Sequence, residues 1–188
     1  MTKLSIFVSE SNTALIVLKK GTKHSSYQLI QWDMVTNTFI EGQWLCNKQL
    51  AVTCCALSPN GKLFGWVYNQ YWKKEDNTHA GISSVPNFTA LVYSNQLAGR
   101  WDNVEFDKFS NPIHLDKHKF VTKTEHTLQE GDPLCVADSG LKIKSNDDSF
   151  TNRFGDLISV SDYKVIVNGV VVYDATSNVF AAKEPITS

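Results

Sequence analysis

The sequence predicts an all-β fold, and three observations carry that prediction. Short β-branched or aromatic segments recur along all 188 residues, each bounded by residues that favour turns. Two Asn-Gly pairs, Asn60-Gly61 and Asn168-Gly169, lie between such segments. Asn-Gly suits a type I′ hairpin, which needs positive φ at both central positions. No window of helical length shows apolar residues spaced i, i+3, i+4, i+7. Lys108–Lys119 contains scattered Ile113 and Leu115, but Pro112 breaks any long helix there.

Taken in order, the predicted strands are Leu4–Ser9, Ala14–Lys19, Ser26–Trp32, Val52–Leu57, Lys62–Asn69, Thr89–Ser94, Lys119–Thr124, Leu157–Ser161, Lys164–Val167 and Val170–Tyr173. Lys20-Gly21, Pro59-Asn60-Gly61, Asn87, Gly131-Asp132-Pro133, Ser139-Gly140 and Asn168-Gly169 punctuate them. In Leu63–Tyr68, Phe64, Trp66 and Tyr68 share one face while Leu63, Gly65 and Val67 share the other. Both faces are apolar, as expected of a central strand packed on two sides.

One pattern occurs twice. Trp32-Asp33-Met34-Val35-Thr36-Asn37-Thr38-Phe39 aligns without a gap onto Tyr173-Asp174-Ala175-Thr176-Ser177-Asn178-Val179-Phe180. The shared form, aromatic-Asp-x-x-Thr/Ser-Asn-x-Phe, follows an apolar strand each time. It predicts a hairpin in which the aromatic ends a strand on the core side and Asp binds turn amides. Asn then takes the left-handed position, and Phe begins a returning strand. Trp101-Asp102-Asn103-Val104, followed by Phe106, is a partial third copy. The two full copies start at 32 and 173, 141 residues apart, a distance that three periods of 47 would span.

These hairpins, together with Val52-Thr53-Cys54-Cys55-Ala56-Leu57-Ser58-Pro59-Asn60-Gly61-Lys62-Leu63, resemble segments of WD-type and related β-propeller blades. The likeness is concentrated in Tyr27–Tyr68, and the Gly-His dipeptide of WD blades is absent. Gln43-Trp44-Leu45 through Phe64 also resembles an uncharacterised group of bacterial proteins carrying a Gly-Gln-Trp segment followed by a Leu-Ser-Pro-Asp-Gly turn. The resemblance implies one all-β domain over residues 1–188, a small or partial propeller-like array of about four antiparallel blade-like sheets. Its units would be 1–50, 51–107, 108–150 and 151–188. A β-sandwich is the alternative. An open array would leave strand edges to pair, which makes a homodimer the expected partner of an unclosed fold.

Composition narrows function mainly by exclusion. A formal net charge of −1 offers no field for nucleic acid or anionic lipid. Positive charge comes in short pairs, Lys19-Lys20 and Lys73-Lys74. The N-terminal apolar run is too short for a signal peptide, and no run reaches membrane-spanning length. A cytoplasmic protein with reduced thiols is expected. Cys46, Cys54, Cys55 and Cys135 form no Cys-x-x-Cys pair. Cys54 and Cys55 are adjacent, so strand geometry aims them at opposite faces, as small buried hydrophobes. The tripeptide Asn87-Phe88-Thr89 is then a chance glycosylation sequon.

His114, His118 and Asp116 are the residues that could gather round a metal ion. They lack any recognised ligand spacing, and Lys117 and Lys119 flank His118. No nucleophile elbow, phosphate loop, dinucleotide fingerprint or calcium loop occurs. No cofactor and no enzymatic activity are expected. The partner-binding candidates are Tyr71, Trp72, Lys73 and Lys74, just past the apolar strand, where an exposed Trp beside two lysines suits a protein contact. The expectation is a non-catalytic protein–protein interaction module presenting loops and an aromatic-rich face. A small cytosolic immunity or inhibitor protein is the alternative, and a metal-assisted hydrolase is less favoured.

Overall fold

A computed structural model describes residues 3–21, 25–70, 77–97, 105–106, 112–113, 121–122, 142–143 and 149–180. The described chain is almost entirely β, with a single 3₁₀ turn at Val52–Cys54. The first strands are β1 Leu4–Val8, β2 Thr13–Lys20, β3 Ser26–Asp33 and β4 Thr38–Cys46. Next come β5 Gln49–Leu50, β6 Ala56–Leu57, β7 Leu63–Gln70, β8 Asn77–Ser84 and β9 Ala90–Leu97. The short β10 Glu105–Phe106, β11 Pro112–Ile113, β12 Val121–Thr122 and β13 Lys142–Ile143 follow. The chain ends with β14 Ser149–Thr151, β15 Leu157–Ser161, β16 Lys164–Val167 and β17 Val170–Asp174.

These strands form an N-terminal sheet ordered β13-β1-β2-β3-β4 and a middle sheet ordered β12-β9-β8-β7-β5, with β6 also on β7. A C-terminal sheet runs β14-β15-β16-β17, and β10 pairs with β11 alone. The pairings are antiparallel.

The N-terminal sheet has no solvent face at its centre. Period-2 geometry sends Leu4, Ile6, Ala14, Ile16, Leu18, Ile30 and Trp32 to one side, where they pack with Phe150, Ile158, Val160, Val165 and Ala175 of the C-terminal region. The intervening Phe7, Leu15, Val17, Tyr27 and Leu29 go to the other side, against Leu50, Cys55, Leu57, Phe64, Trp66 and Tyr68 of the middle region. That is why β1–β3 read as continuous apolar runs instead of alternating ones. The far side of the middle sheet buries Ala51, Cys54, Ala56, Val67, Ala80 and Ile82. The two-sided strand expected at Leu63–Tyr68 is therefore seen, with Phe64, Trp66 and Tyr68 in one core and Val67 in the next.

The segments that carry the blade resemblance have plain mechanical roles. In Ser58-Pro59-Asn60-Gly61 the Gly61 amide donates to the Ser58 carbonyl (2.8 Å), and the Asn60 carboxamide oxygen accepts from the Lys62 amide (3.0 Å). Only Gly61 has positive φ, so this turn is not the type I′ turn expected from Asn-Gly. It is a Pro-Asn turn closed by a left-handed glycine. A side chain on Gly61 would press on Thr13 (2.8 Å) as well as strain the backbone. The turn is docked on the β1–β2 loop, where the Glu10 amide donates to the Pro59 carbonyl (3.0 Å). Asn168-Gly169 does have both residues at positive φ, as expected.

In Gly42-Gln43-Trp44 the glycine lets the 85–89 loop touch β4, since a Cβ there would stand 1.8 Å from the Pro86 carbonyl oxygen. The Gln43 side-chain oxygen then accepts from the Phe88 (2.8 Å) and Thr89 (3.0 Å) amides. Val52–Leu57, expected as one strand, is a 3₁₀ turn followed by the two-residue β6. Even so, Cys54 and Cys55 enter different cores.

Leu15 and Ile16 are adjacent and both fully buried, on opposite faces of β2. Leu15→Ala and Ile16→Ala should each cost about 2–5 kcal/mol, read as a shift in urea midpoint. A one-sided sheet would show the loss for one of the two only.

Candidate functional site

The two copies of the repeated motif meet each other. Asp33 Oδ1 accepts from the Val35 (2.8 Å) and Thr36 (3.2 Å) amides, and Asp174 Oδ1 accepts from the Thr176 amide (2.9 Å). The Thr36 and Val35 amides hold the Asp33 carboxyl below the usual carboxylate range, and the Thr176 hydroxyl, then its amide, do the same for Asp174. The next residues, Met34 and Ala175, both enter the same core. The leading aromatic contacts the motif's asparagine in each copy. Trp32 Nε1 donates to Asn37 Oδ1 (3.2 Å), and Asn178 Nδ2 donates to the Tyr173 hydroxyl (2.9 Å). Phe39 lies between the two leading rings, with centroids 5.5 Å from Trp32 and 4.6 Å from Tyr173.

The copies part at the asparagine. Asn37 is left-handed (φ 54°), so the chain reverses and Phe39 returns along β3. Asn178 keeps negative φ, and residues 175–180 form no strand. The second copy thus lacks the returning strand its sequence predicts, and β17 ends the C-terminal sheet.

The segment that fails to return crosses to the N-terminal sheet and is held there. Lys20 Nζ donates to the Thr176 carbonyl (2.8 Å) and to the Asn178 carbonyl. Asn178 Nδ2 donates to Gln28 Oε1 (2.8 Å) and Glu41 Oε1 (3.1 Å). The Tyr173 hydroxyl donates to Glu41 Oε1 (2.8 Å). Phe180 meets Trp44 edge-on at 6.0 Å. The floor of this seat is Gln28, only 2% exposed, so the amide of Asn178 meets a hydrogen-bonding demand that water cannot reach freely. Burial lowers the Lys20 pKa, and the nearby Asp174 opposes that shift. Burial raises the Tyr173 phenol well above its ordinary value, with the carboxylate of Glu41 adding to the rise and Asn178's donated bond opposing it.

A second concentration of aromatic groups lies on the middle sheet. Trp66, Tyr68, His79 and Tyr93 share the face turned to the N-terminal sheet, with Tyr68 stacked on His79 at 4.9 Å and His79 on Tyr93 at 5.6 Å. Tyr93 Oη and His79 Nδ1 are hydrogen-bonded. Gly81 makes this packing possible, because any Cβ there would lie 2.4 Å from the Trp66 ring. Trp66 and Tyr68 are 4% and 9% exposed, so the centre of this cluster is core, not an open platform.

Tyr71, Trp72, Lys73 and Lys74 lie outside the described residues, as do His114, Asp116, His118 and the Trp101 partial motif. Among the described residues no group of three or more His, Cys, Asp and Glu could hold a metal ion. No described helix is long and apolar enough to cross a membrane. No protein-family model matches the chain, and neither the curated proteins nor the solved structures hold a significant match.

Lys20, Gln28, Glu41 and Trp44 were not singled out in the sequence as site residues. The repeated motif marked Tyr173 and Asn178 as a turn. Their partners stand up to 158 residues away (Lys20 to Asn178), beyond the reach of any local pattern.

The raised Tyr173 pKa has a measurable sign. A phenol whose folded-state pKa exceeds its unfolded value of 10.0 contributes stability in full below that value. The contribution is lost progressively as pH rises above that value, until the folded-state value is passed. Wild-type protein should therefore lose stability between about pH 9 and about pH 11 more steeply than Tyr173→Phe, followed by chemical denaturation at each pH. Parallel profiles would contradict the assignment.

Proposed function

We propose that this chain is a non-catalytic protein–protein interaction module. Its sheets would stack like blades of a small or partial propeller, and it would work in the cytoplasm on a protein partner. The observation that carries the reading is the placement of exposed apolar side chains. Among the described residues, Val35 and Ile40 on the β3–β4 hairpin are 64% and 57% exposed, and Val179 and Phe180 are 76% and 55% exposed. Leu157 and Val170 of the C-terminal sheet are 50% and 65% exposed. Side chains of this size left in water in such numbers suit a surface that a partner covers. The described polar side chains, by contrast, are largely spent on turns and sheet seams: Asp33, Asn60, Asn152 and Asp174 each bind backbone amides.

Tyr71, Trp72, Lys73 and Lys74 extend the reading, because a tryptophan between a tyrosine and two lysines has the composition of an interface anchor. Cross-linking in the native host, followed by affinity purification and mass spectrometry, tests it. Wild type should recover a partner at fixed stoichiometry. Leu157→Asp with Val170→Asp, or Trp72→Ala, should reduce that recovery about tenfold or more, the loss of one anchor of 1.4 kcal/mol or above, with the melting temperature nearly unchanged. Equal recovery by all three proteins, or no saturable partner, would overturn the proposal.

A further inference from the structure

We infer that Lys20, Gln28, Glu41, Trp44 and Tyr173 form a recognition site for a polypeptide turn whose closing residue is an asparagine followed two residues later by an aromatic, as the Asn178 main-chain amide closes onto the Ala175 carbonyl (3.2 Å) here. In this chain its own Asn178-Val179-Phe180 fills that site. The inference rests on the interaction-module reading and names the chemistry of the partner at one place on it.

Three features of the seat carry it. The first is division of labour. Lys20 binds two main-chain carbonyls, those of Thr176 and Asn178, which any sequence making the same turn would present. The selective contacts are separate. The two N–H groups of the Asn178 side-chain amide are shared among three acceptors, Gln28 Oε1, Glu41 Oε1 and the Tyr173 hydroxyl, a role that an aspartate could not take. Trp44 receives the aromatic edge-on. Between the two read positions, Val179 is 76% exposed, so its identity is not read.

The second feature is that the occupant has left its own sheet. The equivalent arm of the first motif copy pairs with its neighbour strand over Thr38–Cys46, whereas residues 175–180 make no such pairing. Ala175 and Thr176 remain tied to the C-terminal sheet through the Tyr163 carbonyl and the Asp174 carboxylate, and beyond them Asn178 and Phe180 are held by side chains of the N-terminal sheet together with Tyr173.

The third feature is the weakness of the lock at its outer end. Phe180 is 55% exposed even while touching Trp44. An aromatic half in water can exchange for one that a partner buries more completely. The tethered segment competes at an effective concentration on the order of millimolar. A partner must therefore displace it, which makes the C-terminal segment an internal competitor for the site.

Full-length protein carrying Asn178→Ala and Phe180→Ala vacates the seat. Its binding to a fluorescent peptide of sequence Ala-Thr-Ser-Asn-Val-Phe is measured by anisotropy, beside the same peptide with Ala for Asn. Where the double variant melts too low to use, Phe180→Ala alone takes its place. The vacated protein should bind the peptide at least about tenfold more tightly than wild type, whose apparent affinity is reduced by the occupied fraction. Binding should fall by a similar factor with the Asn-less peptide, and again when Lys20→Met is added. No binding by a folded vacated variant, equal affinity for wild type and vacated protein, or indifference to the peptide's asparagine would each overturn the site. If the peptide fails while Leu157→Asp with Val170→Asp still loses its cellular partner, the seat is wrong and the module reading stands. If both fail, both fall.

Discussion

The described structure depends on one constraint: the N-terminal sheet is buried on both faces. Leu4, Ile6, Ile16 and Leu18 on one side and Phe7, Leu15, Val17 and Leu29 on the other are each no more than 2% exposed. Each such side chain contributes about 1.5–3 kcal/mol through burial. No two-layer arrangement could bury both sets. The C-terminal and middle sheets are each held by what they cover, and each contributes a polar seam as well as an apolar face. Lys3 with Asp162 (2.9 Å) and Lys20 with Thr176 bind the C-terminal side. Gln43 with Phe88 and Glu10 with Pro59 bind the middle side.

That layering explains where exposed apolar groups can occur. A sheet trapped between two others cannot offer its faces to a partner, so it offers its edge and its hairpin. Val35 and Ile40 lie on β3–β4, the outer hairpin of the N-terminal sheet. The segment 175–180 is fastened beside that same outer strand, through Glu41 and Trp44 of β4 and Gln28 of β3. The two motif copies thus share chemistry at their first positions and diverge in use. One closes a hairpin inside a sheet, and the other ties two sheets together.

The aromatic residues show why composition is a poor guide to binding faces. Tryptophan and tyrosine concentrate in and around β7, which in sequence suits either a core or a platform. Trp66 and Tyr68 are core, packed over Gly81 and against the N-terminal sheet. The described aromatics more than half exposed, Phe154 and Phe180, stand outside the described strands.

Local chemistry made the all-β class, the double-faced character of β7 and the Asn168-Gly169 hairpin readable from the chain, because each is set by neighbours one or two residues apart. The Asp-to-amide turn at Asp33 and Asp174 was readable for the same reason. β8, Asn77–Ser84, was not. Its Thr-His-Ala-Gly-Ile run lacks β-branched density, and it is a strand because β7 and β9 pair with it on both sides. Val52–Cys54 looked extended by composition, yet it is a 3₁₀ turn in which the Cys54 and Cys55 amides close onto the Ala51 and Val52 carbonyls. Only tertiary structure could decide that Asn178, the counterpart of Asn37, would spend its amide on Gln28 and Glu41. Turn propensity leaves both backbone conformations open to asparagine, and the choice was made by acceptors carried on a sheet far away in sequence.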